Sequence, residues 1–184
     1  MMPPGHVAVT WGISRLLQRT NPALAQLDYR LLAISALLPD FIDKPLAIWV
    51  FPDSYSSQNV THSLFFNWVI LVITLLWIPR LLPYCLAFNG HLIADKMWNH
   101  TETFWWPWYG WNQFWHYKFM NTPDAMLQVY IDILTHHPHV WLIEIVAFLI
   151  LGHLFYQQKW YRWQSLKRFV MTGRLINFDD QMGK

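Results

Sequence analysis

Apolar positions along the chain recur with helical spacing, in runs separated by prolines and short polar stretches. This periodicity predicts helices. The predicted helices cover residues 7–17, 29–38, 63–82, 84–98, 122–135 and 140–156. Pro22 and Pro39 are predicted to end the first two, because proline has no N–H to donate within a helix. The pattern therefore predicts an all-α fold, a compact bundle of about six helices.

Two of these runs are long and apolar enough to cross a membrane. Residues 63–82 form a 20-residue run whose strong polar interruptions are Asn67 and Arg80, and residues 140–156 form the second. About 20 apolar residues span a bilayer core. With the shorter N-terminal helices, we expect three or four membrane segments. We expect residues 1–160 to form one membrane-embedded domain and residues 161–184 a basic cytoplasmic tail.

Composition supports a multi-pass membrane protein. The chain is 54% hydrophobic and 13% charged, and it contains 13 Trp, whereas about 25% of residues are charged in soluble domains. The aromatic segment 98–119 fits an interfacial anchor. Basic residues after the last run favour a cytoplasmic C-terminus. The net charge of +2 is too small to predict nucleic-acid binding, and a single cysteine excludes a disulfide framework.

Acidic and histidine side chains interrupt the apolar runs. His91 and Asp95 are four residues apart, so they share one helix face and can offer a nitrogen and an oxygen to one metal ion. Other histidines and an aspartate also lie at the ends of apolar runs. A buried carboxylate needs a partner, a proton or a metal. The predicted metal ligands are His6, Asp40, His62, His91 and Asp95.

Other readings of these residues stay open at this level. His91 and Asp95 could form only a buried hydrogen-bonded pair. Asp43 could be a bridging metal ligand, or it could hold a metal ligand in place without binding the metal itself. It could equally cap its turn against Lys44. Asp43 and Asp95 are the predicted catalytic carboxylates, with Asp43 as the general base. Weaker candidates for further metal ligands are His100, His139 and Glu144.

The order of these motifs resembles a family of membrane-bound, inner-membrane-associated metal-dependent hydrolases. The resemblance covers residues 5–150, and its motifs are His6, Leu-Pro-Asp-x-x-Asp at 38–43, Thr-His-Ser at 61–63, Gly-His-x-x-x-Asp at 90–95 and Trp-Pro at 106–107. The order is also similar to that of bacterial zinc-dependent phospholipase C. That likeness implies one zinc held by four residues, Asp40, His62, His91 and Asp95. It implies a second zinc held in part by His6 and Asp95.

The phospholipase pattern has a third zinc site that uses a His-x-x-x-Glu spacing. The chain departs from it, since His139 and Glu144 are five residues apart. The resemblance implies one to three divalent ions, most simply zinc, and hydrolysis of a phosphoester in a membrane lipid or lipid-linked substrate. The alternative is a non-catalytic membrane protein, an assembly factor or subunit, with a structural metal or a buried polar site. A haem-binding membrane protein is a third class, which the acidic residues beside each motif disfavour.

Overall fold

A computed structural model describes residues 1–51, 57–111 and 122–176, and their regular secondary structure is entirely helical. The α-helices of these segments are α1 Pro3–Thr20, α2 Tyr29–Trp49, α3 Leu64–Trp77, α4 Leu82–Ala94, α5 Thr101–Phe104, α6 Pro123–His136, α7 Pro138–Gln157 and α8 Trp163–Thr172. Short 3-10 turns join several of them. The predicted all-α class is confirmed, with eight α-helices in the described segments where about six were expected.

Helix α2 continues through the proline that was predicted to end it. It begins after Asp28, whose carboxylate accepts from the N–H groups of Arg30 and Leu31, and it contains both Pro39 and Pro45. A proline inside a helix removes one N–H donor, and at Pro39 the carbonyl that loses it is that of Ser35, four residues earlier. Thr61 Oγ1 donates to the Pro39 carbonyl and joins this part of α2 to the 3-10 turn Val60–His62. The prediction of an end at Pro39 was wrong, because the loss of one donor does not stop a helix that contacts from elsewhere in the fold also hold.

The predicted 20-residue helix at 63–82 is also corrected. Helix α3 ends at Trp77 after 14 residues, and a 3-10 turn, Pro79–Leu81, leads directly into α4. Fourteen residues rise about 21 Å, which is short of the roughly 30 Å bilayer core. Pro79 therefore shortens the predicted helix, and the rest of the run forms the 3-10 turn. Helix α4 corresponds to the helix predicted at 84–98 and carries His91, but it ends at Ala94.

The core lies where α1, α2 and α4 meet the C-terminal part of the chain. Its buried residues are Leu27, Tyr29, Leu32, Ala87, Leu154 and Leu175. Trp11 Nε1 donates to the Tyr29 carbonyl at 2.8 Å, and the Tyr29 N–H donates to the Gly173 carbonyl at 2.7 Å. Arg15 donates to the Ile176 carbonyl at 2.7 Å. The segment after α8 thus packs against α1 and α2, while the proposed domain boundary near residue 160 stays a prediction.

Within the described residues, α7 is the one helix long and apolar enough to cross a membrane. It is mostly exposed: Leu142 and Leu149 are each 67% exposed, and Val146 is 54% exposed. A helix with such a large uncovered apolar face requires lipid or a partner around it. The expected three or four membrane segments and the cytoplasmic C-terminus stay predictions.

The aromatic segment forms turns and the short helix α5 as far as residue 111, and its remainder lies outside the described residues. Trp98, Trp108 and Trp111 are each about half exposed or more (48%, 61% and 67%). Exposed tryptophans suit the region between water and lipid. An interfacial role for this segment remains a prediction.

We predict that the protein requires detergent or lipid to remain dispersed. The exposed apolar face of α7 would otherwise drive aggregation. Size-exclusion chromatography after extraction should give a defined peak in detergent and aggregate after detergent removal. A monodisperse, detergent-free monomer would contradict this prediction.

Candidate metal centre

Four separate parts of the chain bring the predicted ligands together. Helix α2 carries Asp40 and Asp43 in the turn that follows Pro39, and the 3-10 turn Val60–His62 presents His62. The last turn of α4 carries His91, and Asp95 follows as its C-terminal capping residue. His6 lies in the first turn of α1. The side chains of His6, His62 and His91 are all almost completely buried.

Asp43 fixes the orientation of His62. The fully buried Asp43 carboxylate accepts the backbone N–H groups of Asn59 at 2.7 Å, Thr61 at 3.2 Å and His62 at 3.2 Å. It also lies 2.7 Å from His62 Nδ1. A carboxylate accepts hydrogen bonds, so His62 Nδ1 donates to it. In a neutral His62 the lone pair is then on Nε2, on the opposite side of the ring.

His91 is oriented in the same way by a backbone carbonyl. Its Nδ1 lies 2.7 Å from the Ala36 carbonyl oxygen, in the turn of α2 that precedes Pro39. A carbonyl only accepts, so His91 Nδ1 donates. In a neutral His91 the lone pair is then on Nε2, whereas a proton on Nε2 would be donated to Asp95, which lies 3.4 Å away. The Nε2 atoms of His62 and His91 are 3.2 Å apart. Two lone pairs at this distance repel each other unless a proton or a cation lies between them.

Asp40 supplies an oxygen beside these two nitrogens. Its Oδ1 lies 3.7 Å from His62 Nε2 and 3.8 Å from His91 Nε2. Its other oxygen, Oδ2, accepts from Lys44 Nζ at 2.6 Å, and Lys44 also donates to the Tyr130 hydroxyl on α6. Burial alone would lower the pKa of Lys44, but Asp40 and Tyr130 outweigh it and raise that pKa. The charged Lys44 thereby fixes Asp40 with one oxygen free.

Asp95 lies on the other side of His91. Its Oδ2 is 3.4 Å from His91 Nε2, and its Oδ1 is 3.1 Å from His6 Nε2 and 2.6 Å from the Met1 ammonium. Burial alone would raise the pKa of Asp95, but the contacts with His6 and His91 hold it well below the usual range. The His6 ring stacks on the His91 ring, with centroids 3.9 Å apart. Asp95 is therefore an ionised carboxylate shared by two imidazoles.

The donor atoms form two groups that overlap at His91. One group is Asp40, His62 and His91, and the other is His6, His91 and Asp95. Ligand atoms at about 2.0–2.1 Å around a tetrahedral zinc lie roughly 3.3 Å from one another. The separations of 3.2 to 3.8 Å in the first group are close to that value. Nitrogen and carboxylate donors in this arrangement fit a divalent transition metal.

This grouping differs in one respect from the division that the phospholipase likeness implied. That division placed Asp95 with Asp40, His62 and His91, and His6 with Asp95 in a second site. In the structure, Asp95 lies beside His91 but forms its group with His6. One His91 Nε2 cannot bind two ions, so two ions would have to divide these donors, with Asp40, His62 and His91 holding one and His6 and Asp95 holding the other.

The three weaker candidates lie outside both groups. His100 and His139 are exposed, His139 at the start of α7. Glu144 on α7 is buried, and its Oε1 accepts the Met2 N–H at 2.8 Å, while its Oε2 is buried with no hydrogen-bond partner. Gly5 permits this close approach of α1 and α7, because a Cβ there would lie 2.8 Å from Glu144 Oε1. Glu144 therefore contacts the start of α1.

The sequence reasoning missed the partners that orient the ligands. One of the interpretations left open for Asp43 paired it with Lys44, whereas Lys44 bonds Asp40; the four-residue spacing of Asp40 and Lys44 was the available signal. It also missed Gln58, whose Nε2 donates to Asp95 Oδ2 at 3.2 Å. The Ala36 carbonyl carries no sequence signal, since any residue offers one.

We predict that Lys44→Met weakens metal binding about 10–100-fold, because outer partners of metal ligands contribute at this level. The substitution removes the cation that holds Asp40 Oδ2. Tyr130→Phe is the matched control: it removes one hydroxyl contact and leaves the ion pair, so the loss should be smaller. Competition with a fluorescent zinc chelator measures both affinities, and equal affinity in Lys44→Met and wild type would contradict the prediction.

The described residues form a helical protein with one candidate membrane span and with His/Asp groups that could hold a metal ion. The model of the YdjM inner membrane protein family matches residues 1–161, and the chain belongs to that family. The match supports the inner-membrane part of the resemblance, and the family's description names no reaction. Searches of the curated proteins and of the solved structures found no match.

Proposed function

We propose that the protein is a membrane-bound metal-dependent hydrolase that acts on a phosphoester of a lipid or lipid-linked substrate. The observation that supports it best is the pair of facing imidazole nitrogens. His62 and His91 each donate from Nδ1 to a fixed acceptor, and their Nε2 atoms lie 3.2 Å apart beside Asp40 Oδ1. A metal ion would convert this repulsive arrangement into a binding site.

The residues divide into ligands and residues that position them. His62, His91 and Asp40 would hold one ion, and Asp95 with His6 would complete the site or hold a second. A bound divalent ion lowers the pKa of its water to about 7 and polarises a phosphoryl oxygen. Asp43 is fully buried and both its oxygens already accept N–H groups. We therefore assign Asp43 to holding His62, in place of the general-base role predicted from sequence.

Two features favour a lipid as the substrate. The chain belongs to an inner membrane protein family, and α7 exposes an apolar face. The candidate metal centre lies between α1, α2 and α4, whose outer surfaces also carry exposed apolar side chains such as Ile13 and Ile93. A substrate could then reach the centre from the membrane, and a phosphate group is the anionic partner that a divalent cation prefers.

Metal analysis combined with hydrolysis assays tests the proposal. Protein purified in detergent should contain one or two equivalents of a divalent metal, and chelation should abolish hydrolysis that zinc then restores. The substrates to compare are a water-soluble phosphodiester, phospholipids and polyprenyl phosphates. Hydrolysis that persists after complete metal removal would contradict the proposal, as would purified protein that binds no metal when zinc is supplied.

The non-catalytic alternative is favoured by one observation, the burial of the donors. The side chains of His62 and His91 are fully buried, and those of Asp40 and Asp95 beside them are mostly buried. Structural zinc sites are closed by four protein ligands, whereas catalytic ones keep a position for water. Tightly held metal with no exchangeable water and no hydrolysis of any lipid would support this alternative.

A further inference from the structure

An apolar groove of about 470 Å³ runs between α1 and α4 and ends at the candidate metal centre. His6 and His91 form part of its wall. The remaining lining is mainly aliphatic and includes Val9, Ile13 and Leu17 of α1 and Leu86 of α4. Its volume is within the roughly 300–1,000 Å³ range of small-molecule sites.

We propose that this groove binds the hydrocarbon chain of one lipid molecule whose anionic head group lies at the candidate metal centre. The assignment of the head group rests on the proposed function, whereas the assignment of the chain rests on the groove itself. An occupant must be apolar along the aliphatic walls and polar at the histidine end. An amphiphile with a single long chain meets both requirements.

The size of the groove argues against a protein helix as the occupant. One turn of helix, a cylinder about 10 Å wide and 5.4 Å long, fills roughly 420 Å³. The groove would therefore accept about one turn, which is too little to dock a helix from a partner or from a second copy. A flexible hydrocarbon chain can follow the groove along its length.

The edges of the groove suit entry from a bilayer. Ile13 on α1 is 53% exposed, and on α4 Leu86 is 53% and Ile93 is 68% exposed. Exposed aliphatic side chains on both sides of an apolar cavity are unfavourable in water and favourable in contact with lipid chains. A lipid could thus enter sideways, with no need to leave the membrane.

Gly90 offers a way to block the groove without disturbing the fold. It lines the cavity next to His91, and a Cβ placed on it would meet no atom within 4 Å. Leucine is also a better helix former than glycine. Gly90→Leu should therefore fill the groove and leave α4 intact. Gly152→Leu is the matched control, because Gly152 on α7 is equally open and lies outside this groove.

Photo-crosslinking with hexadecyl phosphate that carries a diazirine at the end of its chain tests the proposal. The protein is kept in digitonin, which has no alkyl chain, and crosslinked residues are located by mass spectrometry. We expect crosslinks on the groove residues of α1 and α4, and excess unlabelled hexadecyl phosphate should prevent them. Gly90→Leu should reduce them at least tenfold, while Gly152→Leu should leave them unchanged.

Crosslinks spread over the exposed face of α7, or groove crosslinks that survive Gly90→Leu, would overturn the proposal. The proposal would also be overturned if the wild-type protein were a dimer, Gly90→Leu converted it to a monomer, and no lipid crosslinked in the groove. Metal content should be equal in Gly90→Leu and wild type, which separates blocking of the groove from damage to His91.

The same variants separate failure of the groove from failure of the proposed function. If the groove binds the chain but the protein holds no metal, Gly90-sensitive crosslinks persist without hydrolysis, and only the proposed function fails. The opposite result is also possible, in which a short water-soluble phosphodiester is hydrolysed with metal but Gly90→Leu changes neither the crosslinks nor the hydrolysis of long-chain substrates. Only the groove assignment then fails. If both hold, Gly90→Leu should raise KM for long-chain substrates at least tenfold and leave the short substrate unaffected.

Discussion

His91→Ala should remove bound metal and hydrolysis together, with a loss of at least about 10³-fold in metal affinity. His91 Nε2 is the donor common to both ligand groups, so one substitution removes a metal ligand from each group. Loss of an outer partner of a ligand costs about 10–100-fold, and loss of a shared ligand should exceed that. Elemental analysis and zinc competition on purified protein measure the effect.

Two further histidine variants make this result specific. His6→Ala removes a donor from one group and leaves Asp40, His62 and His91 in place, so it should release at most one of two ions. His139→Ala changes an exposed histidine outside both groups and should leave metal content unchanged. Full metal content in His91→Ala would show that the facing imidazoles are a hydrogen-bonded pair and not a metal site.

Asp43→Asn should lower metal affinity about 10–100-fold and destabilise the protein by about 1–3 kcal/mol. The amide oxygen is expected to replace Oδ2, which accepts from Asn59, from the His62 backbone and from His62 Nδ1. The amide nitrogen then faces the Thr61 N–H that Oδ1 accepted. Two donors face each other there, and the negative charge that supports His62 is lost. Thermal unfolding in detergent and zinc competition measure the two effects.

Asp132→Asn provides the control for the same chemical change. Asp132 on α6 is 62% exposed on its side chain and contacts His136 at 2.9 Å, and substitutions at such surface positions usually change stability by less than about 0.5 kcal/mol. Asp43→Ala removes the acceptor of four N–H groups and should prevent accumulation of folded protein. If Asp43→Asn kept wild-type stability and metal affinity but lost hydrolysis alone, Asp43 would be the general base that the sequence suggested.

The helices that the sequence predicted well are those with local signals at their ends. The helix predicted at 122–135 is α6, Pro123–His136, and Thr122 Oγ1 accepts the Ala125 N–H at its start. The apolar run at 140–156 predicted α7, the candidate membrane span. Caps and long apolar runs act over a few residues, so they are visible without any knowledge of distant contacts.

The errors in helix length have a different origin. Pro39 carries a strong stop signal, yet α2 continues for ten residues beyond it to Trp49. Donors from Thr61 and His91 reach the α2 carbonyls of Pro39 and Ala36. These bonds join residues 22 and 55 positions apart, which no local pattern contains. The opposite error occurred at 63–82, where the predicted helix was too long. The run is apolar throughout, so its composition did not reveal the break at Pro79.

By itself, the sequence determined the all-α class, the apolar helix α7 and the residue types of the candidate metal centre, because periodicity and chemistry are local properties of the chain. Only the tertiary structure decided how those residues are combined. In the structure His91 belongs to both ligand groups, Asp43 accepts a hydrogen bond from His62, and Lys44 pairs with Asp40. These pairings depend on how α1, α2 and α4 pack, and spacing along the chain does not specify which of several buried imidazoles and carboxylates come within 4 Å of each other.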